Sequence, residues 1–284
     1  MDSSELTPTK IHFFVVTLFP EMIEGALQFG VVGQAQKNQL IDVQTINPRQ
    51  FTTNVHQTVD DRPFGGGDGM VMLGDPLKSS LEFIRSQLSN GDAPRVIHFS
   101  PRGQLLTDQK AREFSHSENI ILISSRYGGV DQRFLNQYVD EEISIGDYVV
   151  SGGELPALVF IDSISRQVPG VLGNTDSAQE ESFCHGWLEQ PQYTRPREWQ
   201  GEIIPSTLLS GDHAKIKQWK RIVSLLVTLD RRSDLIQRNI PSQNDLKAGL
   251  NLLKLLSDDE IRLLGLSSRE ELKLKLHQNF PFLS

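Results

Sequence analysis

The sequence predicts an α/β fold with a mostly parallel sheet, followed by a small, mainly helical C-terminal region. Three observations predict it. Short β-rich runs alternate with helical stretches over roughly the first 170 residues, glycine-rich turns follow several of those runs, and helical periodicity takes over toward the C-terminus.

Taken in order, Ile11–Phe19, Ile41–Ile46, Arg95–Ser100, Asn119–Ser125 and Ile143–Val150 read as strands. Between them, Pro20 opens a helix through Met22, Ile23, Ala26 and Leu27, and Asp75-Pro76 caps one that should bury Leu77, Leu81, Phe83 and Ile84. Thr107 precedes a polar helix, and Val130 to Tyr138 reads as another. Glu154-Leu155-Pro156 starts a further helix, since proline is tolerated in a first turn; Arg166 ends it and Val168-Pro169-Gly170 stops it. The polar stretch from Gly173 to Ser182 reads as a linker or lid. Beyond it, Ala214–Leu229 and Ser242–Leu256 carry amphipathic helical spacing. The expected organisation is a domain over residues 1–172, a linker over 173–188 and a helical domain over 189–284.

Length and an apolar content of 38% suffice for one large core or two modest ones, which excludes disorder and a disulfide scaffold. The single cysteine, Cys184, points to a reducing compartment, with the cytoplasm as the default. Ile11–Phe19 is too short to span a bilayer and is wrongly flanked for a signal peptide, so no membrane association is expected. The net charge of −8 argues, as an average, against a polyanionic partner, but the average conceals a split. Residues 1–190 hold 13 Lys/Arg against 25 Asp/Glu, whereas residues 191–240 hold 9 against 5.

Three loops fall where open α/β sheets bind ligands, at the C-terminal ends of expected strands. They are His98-Phe99-Ser100-Pro101-Arg102-Gly103, Ser125-Arg126-Tyr127-Gly128-Gly129 and the run from Ile145 to Glu154. Their glycines and backbone amides, beside Phe99, Tyr127 and Tyr148, suit a flat ring with hydrogen-bonding edges; singly, each also reads as an ordinary βα turn. Asp60–Met70 contains Gly65-Gly66-Gly67 but meets neither nucleotide fingerprint. Cys184-His185 lacks the companions of a metal cage, so no metal ligand is assigned. Lys215, Lys217, Lys220 and Arg221 surround Trp219, a mixture of cations and an aromatic ring that fits RNA contact as well as a solvated helix face.

Together these strings resemble one family, the bacterial TrmD-type tRNA (guanine-N1)-methyltransferases of the SPOUT class. The resemblance rests on Thr17-Leu18-Phe19-Pro20-Glu21-Met22, Thr58-Val59-Asp60-Asp61-Arg62-Pro63-Phe64-Gly65-Gly66-Gly67, Ser144-Ile145-Gly146-Asp147-Tyr148-Val149, Ser151-Gly152-Gly153-Glu154-Leu155-Pro156, Tyr193-Thr194-Arg195-Pro196 and Leu208-Leu209-Ser210-Gly211-Asp212-His213. It covers roughly residues 11–235. It implies a parallel sheet whose C-terminal part is tied in a deep trefoil knot, a topology that general connection rules disfavour. It also implies a homodimer, S-adenosylmethionine as methyl donor, and transfer RNA methylated on guanine N1 at position 37, beside the anticodon.

For the site, the resemblance implies cofactor contacts from His98, Phe99, Ser100 and Pro101, from Ser125, Tyr127, Gly128 and Gly129, and from Ile145, Gly146, Asp147, Tyr148, Val149, Val150, Gly152, Gly153 and Pro156. Glu181 takes the place of the family's aspartate base and Arg166 that of its assisting arginine. Lys215, Lys217, Lys220 and Arg221 are expected to contact the RNA on the ground of their local positive charge around Trp219. The chain departs from the pattern in three places: Glu181 is one methylene longer than aspartate, Ser125 replaces a glycine, and Gly128 replaces a glutamate that could serve magnesium. Magnesium is therefore allowed by the resemblance but given no ligand here, although Glu180 or Asp176 could substitute. The competing readings are a tRNA-binding homologue with weakened or lost catalysis and a knotted methyltransferase with another RNA target.

Overall fold

The computed structural model describes residues 10–88, 93–173 and 181–281. Asp176, Glu180 and most of the expected lid lie outside these residues. The chain divides into two compact units, Met1–Thr175 and Asp176–Ser284.

In the first unit the order is β1 (Ile11–Val16), α1 (Pro20–Ala26), α2 (Gly30–Lys37), β2 (Ile41–Ile46), β3 (Asp60–Asp61), β4 (Val71–Met72), α3 (Gly74–Gln87), β5 (Arg95–Leu105), α4 (Asp108–Phe114), β6 (Asn119–Ile123), α5 (Gln132–Tyr138), β7 (Glu141–Ser144) and α6 (Glu154–Ser165). Five of these strands form a sheet in the order β2-β1-β6-β5-β7, with every neighbouring pair parallel. Helices cover both faces, so the central strands are almost wholly apolar rather than alternating. Phe13 and Val15 face a cluster with Phe114 and Phe160, while Phe14 and Val16 face Leu77, Leu81 and Ile84 of α3.

Several elements depart from the sequence reading. Ile143–Val150 was expected to be a strand, but β7 ends at Ser144, where the Ser144 hydroxyl accepts the Gly146 N–H at 3.2 Å and Gly146 adopts a φ of 145°. The strand expected over Arg95–Ser100 continues to Leu105, with a register shift between Phe99 and Gln104. The expected His98–Gly103 loop is therefore part of β5: His98 and Phe99 are paired, and Ser100–Gly103 form a bulge. Pro101 has no N–H for the ladder, and a Cβ on Gly103 would lie 2.4 Å from the Glu142 carbonyl carbon. Phe83 is exposed and packs beside Phe51, because it falls two residues after Leu81, off the buried face. Helix α2 had no counterpart in the sequence reading: Gly30 and Gly33 weaken its propensity, and burial of Val32 and Ala35 overrides them.

The loops above the sheet are joined by a buried ion pair. Glu154 at the start of α6 is fully buried; one of its carboxylate oxygens lies 2.8 Å from Arg126 Nε and the other accepts the Thr17 hydroxyl at 2.8 Å. The Arg126 guanidinium also lies over the Phe19 ring, 4.5 Å from its centroid. Around this pair the backbones are in close contact. Gly153 N–H donates to the Ser125 carbonyl at 2.8 Å, and a Cβ at Gly153 would lie 2.6 Å from Ser124 Cα.

The second unit is built on α7 (His213–Arg231), followed by α8 (Ser233–Arg238), α9 (Gln243–Leu255), α10 (Asp258–Leu263) and α11 (Arg269–Asn279), with a hairpin of β8 (Glu198–Trp199) and β9 (Glu202–Ile203) before them. Its core joins Trp219, Val223, Leu226 and Leu229 of α7 to Leu246, Leu253, Leu272 and Leu276 of the later helices. Trp187 and Leu188, placed in the linker by the sequence reading, pack into this unit: Trp187 is buried, and Leu188 N–H donates to Thr228 Oγ1 at 2.8 Å.

Truncating one partner of a buried ion pair strands the other charge, at a cost of about 3–5 kcal/mol. Glu154→Ala should therefore lower the stability of the first unit by that order, read as a fall in the urea midpoint of unfolding. Leu155→Ala, at the neighbouring half-exposed position, should lower it far less.

Candidate functional site

All three loop motifs converge on one cavity of about 570 Å³ in the first unit, within the ordinary range for small-molecule sites. Strand β5 contributes His98 and Phe99, and its bulge Ser100 and Pro101. Ser125, Tyr127, Gly128 and Gly129 come from the loop after β6, and Ile145, Gly146, Tyr148, Val149, Val150, Gly152, Gly153 and Pro156 from the segment between β7 and α6. Of the residues expected here, only Asp147 does not line the cavity. Sequence reasoning missed Val130, Gln132 and Leu135, which close one side from the start of α5; the three-residue spacing of Gln132 and Leu135 on a helix following the loop was the available signal.

The loop after β6 is held in an unusual backbone. Tyr127 has a φ of 59°, left-handed for a residue with a side chain, while Gly128 N–H donates to the Met70 carbonyl at 2.8 Å. A Cβ at Gly128 would lie 2.9 Å from that carbonyl oxygen, so the glutamate of the family pattern would require this loop to shift. Met70, at the end of the glycine-rich segment, thus braces this cavity wall from outside, and β3 and β4 pair antiparallel at the segment's base.

Beneath these walls lies a polar chain. His98 is 3% exposed; its Nε2 is 3.0 Å from Ser125 Oγ and its Nδ1 3.1 Å from Glu142 Oε1, which also pairs with Arg102 at 3.4 Å. Burial lowers the imidazole pKa below its ordinary 6.5; the Glu142 hydrogen bond and charge oppose that shift, and the Arg102 charge adds to it.

A smaller cavity of about 150 Å³ lies within the second unit, lined by Glu181, His185, Trp187 and Gln190 together with Lys217, Lys220 and Arg221. The structure thus brings the expected base together with three of the four cations assigned to RNA. Lys215 is exposed on the first turn of α7. Arg221 is occupied: it makes two 2.8 Å bonds to Asp245, holding that carboxyl down to about 2, and lies over Trp187 at 4.9 Å. Arg166 caps the C-terminus of α6 in the first unit. No group of three or more His, Cys, Asp or Glu residues suited to a metal ion occurs among the described residues. No helix among them is long and apolar enough to cross a membrane.

The sequence model of the family described as tRNA (Guanine-1)-methyltransferase TrmD matches residues 11–238. Among curated proteins, the chain is 49% identical over 223 residues to a tRNA (guanine-N(1)-)-methyltransferase of Pseudomonas putida (strain GB-1), covering 78% of this chain and 88% of that protein. It is 50% identical over 223 residues to the protein of that name from Shewanella sediminis (strain HAW-EB3), covering 78% and 91%. For the one from Pseudomonas syringae pv. tomato (strain ATCC BAA-871 / DC3000) the identity is 48% over 228 residues, covering 80% and 90%.

The unfolded chain protonates at an ordinary histidine value, while folded His98 resists protonation. Stability of the first unit should therefore be complete above about pH 6.5 and decline as pH falls below it toward the lowered folded value. Urea unfolding at pH 7.5 and at pH 5.5 (roughly one unit either side) should show this loss, and His98→Gln should flatten it.

Proposed function

The chain belongs to the tRNA (guanine-1)-methyltransferase TrmD family, and on that premise we propose that it methylates N1 of the guanine at position 37 of transfer RNA, using S-adenosylmethionine. The observation that carries this reading is the convergence of all three glycine-bearing loops on one cavity, whose aromatic walls, backbone edges and neutral hydroxyl suit an adenosyl group. The close glycine contacts at Gly128 and Gly153 fit a site moulded around a ligand, since a Cβ at either would collide with backbone.

S-adenosylmethionine, when bound, supplies an electrophilic methyl group. The protein's task is to make guanine N1 a nucleophile, because in the neutral base N1 carries a proton. Glu181 accepts that proton as the N1–methyl bond forms, and Arg166 stabilises the negative charge building toward O6. The guanine must leave its stack to reach them. Support for the Glu181 role comes from its cavity, where the Lys217 and Lys220 ammonium groups are suited to hold phosphates beside the base it serves. Arg221, bound to Asp245, orders this wall rather than offering a free charge.

The remaining expectations belong to the same reading. A deep trefoil knot is supported by the family and by the tight seating of Gly152-Gly153 on the Ser124–Gly129 loop. A homodimer is supported by Leu155 and Val159, half-exposed one turn apart on α6, and by Met22, exposed on α1, which packs against α6. Cytoplasmic location follows from the tRNA substrate. Magnesium is given no ligand.

Purified protein with labelled S-adenosylmethionine and unmodified tRNA should incorporate methyl into 1-methylguanosine. Absence of incorporation with cofactor binding intact would favour a tRNA-binding homologue, and label at another base a different RNA target. Glu181→Gln should nearly abolish turnover with cofactor affinity little changed; an active variant would overturn the base assignment. Replacing Lys215, Lys217 and Lys220 by alanine should weaken tRNA binding and reduce its log–log salt slope by about 2–3.

A further inference from the structure

Ser125, His98 and Glu142 form a relay whose direction is set by chemistry. The Glu142 carboxylate, 3.1 Å away, only accepts, so it draws the proton of the ring onto Nδ1. With the ring neutral, Nε2 is then a bare acceptor, and Ser125 must spend its one O–H on it across 3.0 Å. The Ser125 oxygen, at the cavity wall, is left with lone pairs and no proton to give. The charged groups facing His98 are Glu142 on β7 and Arg102 on its own strand, and they pair with each other at 3.4 Å. The Ser125 backbone is held by the Gly153 N–H, which its carbonyl accepts at 2.8 Å, and its hydroxyl is held by the bond to His98 Nε2.

We propose that Ser125 is a specificity-determining residue of the cofactor cavity, a fixed acceptor that reads one hydrogen-bond donor of the bound nucleoside, with His98 and Glu142 as the positioning residues that keep its lone pairs turned toward the ligand. The inference rests on the cofactor reading above. A fixed acceptor discriminates by penalty: a ligand lacking the donor leaves a desolvated oxygen unpaired. The donor is an O–H or N–H of the adenosyl group, either a ribose hydroxyl or the 6-amino group, and the arms of the test separate these sources.

Titration calorimetry with S-adenosylhomocysteine and its 2′-deoxy, 3′-deoxy and 6-desamino analogues provides the measurement. Wild-type protein should bind one analogue about fivefold to tenfold more weakly than the parent, the size of one hydrogen bond, and Ser125→Ala should bind that analogue and the parent alike. Discrimination unchanged in Ser125→Ala, or all three analogues within twofold of the parent in the wild type, overturns the proposal. Failure of wild-type protein to bind the parent at all overturns the cofactor reading instead. A second readout does not depend on a variant. Nitrogen-15 spectra of the His98 ring near neutral pH should show a proton on Nδ1 and a bare Nε2; a protonated Nε2 would contradict the relay. Glu142→Leu, which removes the acceptor, should lose the Nδ1-protonated signature and weaken parent binding while circular dichroism and thermal melting report an intact fold.

Discussion

The buried Arg126–Glu154 pair is the interaction on which the rest of the first unit depends. A fully buried carboxylate and a largely buried guanidinium meet where β1, the loop after β6 and the start of α6 come together, and the Thr17 hydroxyl donates to the carboxylate oxygen that does not face Arg126. Such a pair adds little net stability over an apolar substitute, but its geometry is exacting because either charge alone would be costly. It fixes Arg126, hence the strained Tyr127 backbone and the glycines after it. It also fixes the start of α6, hence the Gly152-Gly153 approach that closes the cavity from the other side. Conserving volume at Glu154 without the charge would keep the helix and lose the register between two cavity walls.

What the sequence made legible follows from this. Apolar runs flanked by turn residues marked the inner strands β1 and β6, since strands covered on both faces are continuous apolar segments, whereas the edge strand β7, which begins with two glutamates, was read two residues late and six residues too long. Loop motifs were readable as cavity walls because glycines, aromatics and strand ends coincide there. Less legible were features decided by tertiary contact. Pro101 and Gly103 mark an interruption locally, but nothing local announces that β5 resumes beyond it and pairs again with Ile143 and Ser144. Helix α2 forms against the preference of its glycines, because Val32 and Ala35 find a core. The relay of His98, Ser125 and Glu142 spans three strands or loops far apart in sequence, so no spacing rule could have assembled it. The same holds for Arg221: a cation beside an aromatic ring reads as an RNA contact until Asp245, 24 residues on, is seen to hold it.

The net charge belongs to the first unit: residues 1–175 hold 13 Lys/Arg against 21 Asp/Glu, and residues 176–284 hold 15 against 15. The first unit's cavity nonetheless has largely neutral walls, whereas in the second unit several of the cations of residues 191–240 gather on α7 beside Glu181. A neutral pocket suits a ligand recognised by shape and hydrogen-bond direction, and a cationic helix suits a polyanion held by charge. In the proposed reaction the methyl donor and the RNA are thus recognised by different physics, on different units.

The central claim is that the Ser125–Gly129 and Ile145–Gly153 segments are two walls of one cofactor site. Amide hydrogen exchange with and without S-adenosylhomocysteine tests it most directly. The account predicts that amides of both segments gain protection together when the ligand is added, while those of α9 and α11 do not change. Protection confined to one segment, or to neither while the ligand is bound, would contradict it.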